Sequence, residues 1–240
     1  MPTYLALINK LALESKVTSS ASAVAAVTSQ VGMAARFVKW IADAHRDIQG
    51  SHDNWRWMRS GFTVQTVAGD GIYAGTDCTD TLASAAVTRF GRWITHDNEG
   101  RSNVTCYLTS AGVPGERTLI WLPWSRFRFL YRRATQNNNP PIHFSVDPQD
   151  NLVIGPKPEA VYTVNGEYQR SALVLANAGD TPEFHSDFHD LVVWYALDKY
   201  GRTAIAPEIV GRAQMESSRL MRQLESSQLP TDFDLGPPLA

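Results

Sequence analysis

The chain of 240 residues predicts an α+β fold: helices at both ends, a β-rich middle and an extended C-terminal tail. Three observations lead there. Apolar residues recur at three- and four-residue steps near both termini. From residue 60 the apolar period falls to two. Pro230, Pro237 and Pro238 then keep the final segment from continuing a helix. The chain divides accordingly into 1–59, helical; 60–180, β-rich; 181–228, helices that complete a helical bundle with the first part; and 229–240, an extended tail. The β part is expected to project from the paired helical ends.

In order, Tyr4–Glu14 reads as a first helix, with Leu5, Ile8, Leu11 and Ala12 on one side and Pro2-Thr3 at its start. Residues 15–29 are rich in Ser, Thr and Ala and read as a loop with some extended character. The stretch 30–57 organises the chain. Met33, Phe37, Trp40, Ile41, Ala44 and Ile48 form one stripe on a helix of about five turns, while Arg36, Lys39, Asp43, Arg46 and Asp47 fall largely off it. That helix stops near Gly50-Ser51. Trp55 and Trp57 follow and are placed to close a core over its end.

Phe62, Val64 and Thr66 alternate with Thr63, Gln65 and Val67, as in a strand, and Ala68-Gly69-Asp70-Gly71 is a turn. Residues 75–117 read as short strands, among them 87–93 and 104–108, between glycine-bearing loops. The run 118–122 (TLIWL) is a buried-strand candidate. SRFRFLYRRA reads two ways: Phe127, Phe129 and Tyr131 alternate as in a strand, while Phe127, Leu130 and Tyr131 make a helical face; Ser125 as N-cap favours the short helix, and a loop follows over 137–141. Ile142, Phe144 and Val146 then form a hairpin with 152–154 across a turn at 147–151. Gly155-Pro156-Lys157-Pro158 breaks the chain, and 161–168 is a further strand. Ser186 or Asp187 caps a helix running to about Tyr200, with Gly201 as its stop. Pro207 opens a longer helix to about Gln228.

Hydrophobic residues make up 43% of the chain, enough for a substantial core. The net charge of -2 and a pI of about 6.3 argue against a protein whose whole surface grips nucleic acid, yet leave room for one basic face. Cys78 and Cys106, the two cysteines, read as reduced thiols of a cytosolic setting. No apolar run approaches 18 residues, so no membrane span is expected. The N-terminus lacks a basic leader and reads as mature protein.

Candidate chemistry is sparse. His185 and His189 stand one helical turn apart, but Ser186 follows where a zinc protease needs Glu, and no further Cys/His cluster completes four ligands. His52-Asp53 and His96-Asp97 lack a nucleophile in a recognisable setting. No catalytic residue, metal site or cofactor is assigned. The local charge bias is Arg117, Arg126, Arg128, Arg132 and Arg133, with no acidic residue between Arg117 and Arg133. Interleaved with Trp121, Trp124, Phe127, Phe129 and Tyr131, these arginines suit a nucleic-acid backbone or an acidic protein surface. The plainer alternative is an outer face with snorkelling arginines.

YLALINKLALE, then ARFVKWIADAHRDIQGSHDNWRWMR, then FTVQTVAGDGIY resembles the head-to-tail adaptor (connector, head-completion) proteins of tailed bacteriophages. WLPWSRFRFLYRRA, the segment DPQDNLVIGPKPEAVYTVNGEYQR and the C-terminal helix pair with its tail reinforce the resemblance, which covers most of the chain. It implies a non-enzymatic virion protein at the head–tail neck, assembled in the bacterial host cytoplasm. Copies form a ring, commonly of twelve, beneath the portal protein. The ring extends the DNA channel, contacts packaged DNA without specificity and docks a tail or nozzle protein. The resemblance also implies a portal-docking tail: Leu229, Pro230, Asp232, Phe233, Asp234, Leu235 and Leu239. The alternatives are another neck or tail ring, such as a tail terminator or tube, and a virion-associated wall-degrading enzyme.

Overall fold

The computed structural model describes residues 1–17, 24–133 and 136–229. The chain forms two compact units, one of Met1–Trp57 with Ala172–Ala240 and one of Met58–Ser171. The fold is mixed α and β, with five α-helices and eleven strands among the described residues.

In the first unit, α1 (Tyr4–Glu14) begins at Thr3, whose hydroxyl accepts from the Ala6 amide. Helix α2 (Gly32–Gly50) starts two residues later than its pattern predicts, because Gly32 takes φ +61 at the entry. Phe37, Ile41, Ala44 and Ile48 of the expected stripe are buried, whereas Met33 is 36% exposed. Trp55 is fully buried, stacks on Trp57 at 4.2 Å and donates its indole N–H to the Ile48 carbonyl. Helix α4 (Asp190–Ala204) packs against α1, α2 and α5 (Pro207–Gln228).

Two buried amides hold irregular chain to these helices. Asn9 accepts from the Val24 amide at 2.8 Å and donates to the Val24 carbonyl at 2.9 Å. Gln49 does the same for Leu173, at 2.8 and 3.0 Å. Each side chain stands in for a strand partner and satisfies backbone groups that burial would otherwise leave unpaired.

Two helix boundaries differ from expectation. Residues 186–188 form a single 3-10 turn, and α4 begins only at Asp190. His189 turns inward and donates from Nε2 to the Phe184 carbonyl, so the turn is fastened to the core before the helix starts. Gly201 does not stop α4. The helix runs on to Ala204, and Ile205 closes it in the left-handed region at φ 54. Gly201 lies where α4 meets α5: a Cβ there would sit 2.8 Å from Val210 Cγ2. The glycine serves close packing, not termination.

The second unit holds two sheets around one core. In the larger sheet, β11 (Tyr162–Arg170) pairs antiparallel along its length with β1 (Arg59–Gln65). Its other edge is shared by β6 (Thr105–Leu108) and β5 (Phe90–Ile94). The two-residue strands β3 (Thr79–Asp80), β4 (Ala85–Ala86) and β7 (Arg117–Thr118) extend the sheet. The smaller sheet has the order β2 (Ile72–Tyr73), β10 (Leu152–Gly155), β9 (His143–Val146) and β8 (Ile120–Trp121). Phe62, Val64, Trp93, Cys106, Val164 and Tyr168 of the larger sheet meet Tyr73, Phe144, Leu152 and Ile154 of the smaller. Cys78 and Cys106 are free thiols in this core; burial pushes the Cys78 thiol up to about 12.

The run 118–122 is not one buried strand. Thr118 ends β7 in the larger sheet, fully buried Leu119 crosses the core, and Ile120 opens β8 in the smaller sheet. Beneath β3, the Asp80 carboxylate accepts from the Tyr168 hydroxyl at 2.6 Å and the Ser60 hydroxyl at 2.9 Å. It also accepts from the amides of Leu82 and Ala83. Burial alone would push this carboxyl upward, but those four bonds outweigh it and bring it down to about 2.

Candidate functional site

The sequence from Pro123 to Arg133 builds the basic face. Helix α3 (Trp124–Tyr131) starts at Pro123, whose carbonyl accepts from the amides of Arg126 and Phe127. Ser125 therefore lies inside the helix and does not cap it. Phe127 is buried and, with Leu122 and Val153, forms a small second core flanked by Trp124 and Tyr131. Every residue of β10 is buried, because the main core covers one face of the strand and α3 helps cover the other. Seating Phe127 inward turns Arg126 and Arg128 outward, and both are exposed.

Arg132 closes the helix, and Arg133 lies with its guanidinium 4.4 Å from the centre of the Phe129 ring. Cations at a helix C-terminus also complement its dipole. Arg126, Arg128, Arg132 and Arg133 have no carboxylate partner among the described residues. Tyr131 anchors the helix end: its ring lies on Gly155, where a Cβ would fall 2.6 Å from Cδ2, and its hydroxyl is 2.7 Å from His143 Nδ1. Burial, and then the nearby Arg126 charge, hold the His143 imidazole below its usual range.

Four of the five sequence-predicted arginines therefore share one element or its exit. Arg117 does not join them. It lies in β7 of the other sheet, with its guanidinium over the Tyr162 ring.

Beside α3 is a groove of about 590 Å³ lined by Arg132, Arg133, Lys157, Tyr131, Gly71 and Gln136, with Phe127 and Ile154. Among the described residues no acidic side chain lines it. Lys157, Gly71 and Gln136 were not singled out from the sequence. Lys157 stands in a break between two prolines, and only the return of that break past α3 gives its charge a context. The Asn139 amide donates to the Lys157 carbonyl and the Gly69 amide to that of Pro158, which hold the break in place.

The histidine pairs do not converge. His189 is buried on the Phe184 carbonyl, while His185 is exposed beside Asp187. His52 donates from Nε2 to Glu225 at 2.8 Å, and Asp97 is taken up by Arg101 and its own turn. Among the described residues no group of three His, Cys, Asp or Glu is placed to hold a metal, and no helix is long and apolar enough to cross a membrane. Of the tail residues, Leu229 is half-buried and its amide donates to the Glu225 carbonyl. Pro230, Asp232, Phe233, Asp234, Leu235 and Leu239 lie outside the described residues.

An exposed cationic face whose arginines meet no carboxylate among the described residues is a surface suited to contact with another molecule. The family model for the SU10 adaptor protein matches residues 2–234, and the chain belongs to that family. It is accordingly a structural adaptor and virion component of a bacteriophage. No curated protein matches the chain.

Proposed function

We propose that copies of this chain form a ring, twelve in the arrangement its resemblance implies, beneath the portal protein at the neck of the particle. The ring extends the DNA channel, joins the capsid to a tail or nozzle protein, and is assembled in the host cytoplasm without catalysing a reaction. The observation that carries this reading is the adaptor-family match over nearly the whole chain. In this reading the terminal helices act as one bundle. The segment from Leu229 through Pro230, Asp232, Phe233, Asp234, Leu235 and Leu239 docks on the portal, with α5 leading into it. Pro230, Pro237 and Pro238 keep this segment from continuing α5, and a non-helical segment can offer backbone hydrogen bonds to a partner.

Mass photometry of the purified chain with its cognate portal tests this. The full chain is expected to add to the portal in a fixed multiple, and a chain ending at Gln228 is expected not to. A full chain that ignores the portal overturns the adaptor role. A shortened chain that still adds overturns the role of the tail alone.

A further inference from the structure

We infer that the groove beside α3 is a binding site for the phosphodiester backbone of nucleic acid, with Arg132, Arg133 and Lys157 as its phosphate contacts. The inference rests on the adaptor reading for the presence of DNA, and on the groove itself for the site.

Among the described residues, three cations converge on a groove that no acidic residue lines, and none has an ion-pair partner. Each was brought there by a different constraint. Arg132 is fixed as the cap of α3. Arg133 is aligned on the Phe129 ring. Lys157 sits in a chain break whose carbonyls are fastened from both sides. Unpaired cations so close together repel one another, and an incoming anion relieves that repulsion. Two adjacent guanidinium groups supply forked donors matched to phosphate oxygens.

A phosphodiester polymer fits better than an acidic peptide with one carboxylate because the charge does not end at the groove: Arg128, one helix turn before Arg132, continues it along α3. From Arg128 to Arg132 the helix rises about 6 Å at ~1.5 Å per residue, close to two phosphate steps of about 3.4 Å along one strand. An isolated carboxylate would use the groove and leave Arg128 idle. Arg117, over the Tyr162 ring in the other sheet, is left out of the site.

The test is fluorescence anisotropy of the full chain with a labelled DNA duplex of about 20 base pairs, at about 50 and 200 mM salt. Replacing Arg132→Ala and Lys157→Ala together is expected to weaken binding about tenfold or more and to lower the salt slope by about two. Arg117→Ala and Arg101→Ala, each removing a positive charge elsewhere, are expected to change affinity less than about twofold. A charge reversal, Lys157→Glu, reads the same site without shortening the side chain. If the groove variants bind like the controls, the site is wrong. If polyglutamate of equal charge displaces the duplex as well as unlabelled duplex does, the surface recognises acidic protein and the inference fails. Portal addition by the same variants separates this outcome from failure of the adaptor role.

Discussion

In the helical unit cations meet carboxylates across helices, whereas the cations of α3 and its groove meet none among the described residues. Lys10 reaches Asp190 of α4 at 2.7 Å, Lys199 reaches Asp47 of α2 at 2.7 Å, and Arg212 of α5 reaches Glu14 of α1 at 3.2 Å. His52, just past α2, reaches Glu225 of α5 at 2.8 Å. These pairs bridge neighbouring helices near their exposed edges. On α3 the orientation is instead set by an apolar anchor, Phe127, packed with Leu122 and Val153. The arginines of α3 and its exit are thereby left without a carboxylate partner among the described residues. Charge used within the fold and charge left for a partner are thus distinguishable by what lies opposite, and not by composition.

The largest expected effect breaks the second unit alone. Phe144 is fully buried between the sheets, edge-on to Trp121. Phe144→Ala is expected to cost about 3–5 kcal/mol in urea unfolding. Hydrogen exchange should show protection falling in β1, β9, β10 and β11 before α1, α2 and α4.

Asp80→Asn comes next, at about 2 kcal/mol, because it weakens charge-assisted bonds from Tyr168, Ser60 and two amides. The carboxyl lies near 2 in the fold against an ordinary 3.8, so its contribution is complete above about 3.8 and is lost as pH falls toward 2. Urea titrations of parent and variant across that window should converge at the acid end.

A smaller effect sharpens the comparison by pH. Burial holds His189 below its ordinary 6.5, so the unfolded chain takes the proton first. Stability from this residue is present above about 6.5 and declines as pH falls through the folded value. His189→Gln is expected to flatten the fall in melting temperature between about pH 7.5 and about 5.5. His143 titrates in the same direction in the other unit, so exchange resolved by unit is the readout that assigns the change to the helices.

The smallest effect concerns the cross-helix pairs. Lys10 and Asp190 are 42% and 48% exposed. Lys10→Ala should therefore cost only about 0.2–1 kcal/mol in urea unfolding, and less at about 1 M salt. A larger, salt-independent loss would show that the lysine stem packs rather than pairs.

What was legible in the sequence is local. The Tyr4–Glu14 helix, Pro207 as the first residue of α5, the hairpin of β9 and β10 and the strand β11 follow from periods and turn residues a few positions apart. Phe127 and its flanking arginines were legible as neighbours too, although the strand-like alternation of Phe127, Phe129 and Tyr131 competed with the helix that forms. Gly201 misled because a glycine after an apolar run signals a helix end equally well as a close helix contact. Leu119 misled because TLIWL has the composition of one strand, and nothing nearby marks the change of sheet.

By itself the sequence determined the class of most segments and the α+β character, since propensity and periodicity are properties of neighbours in the chain. The tertiary structure alone decided that Asn9 and Gln49 serve as backbone partners and that His189 faces inward. It alone separated Arg117 from the other arginines and brought Lys157 to Arg132 and Arg133. Each of those outcomes joins residues far apart in the chain, and such contacts are chosen by the packing of the whole core, which no local window contains.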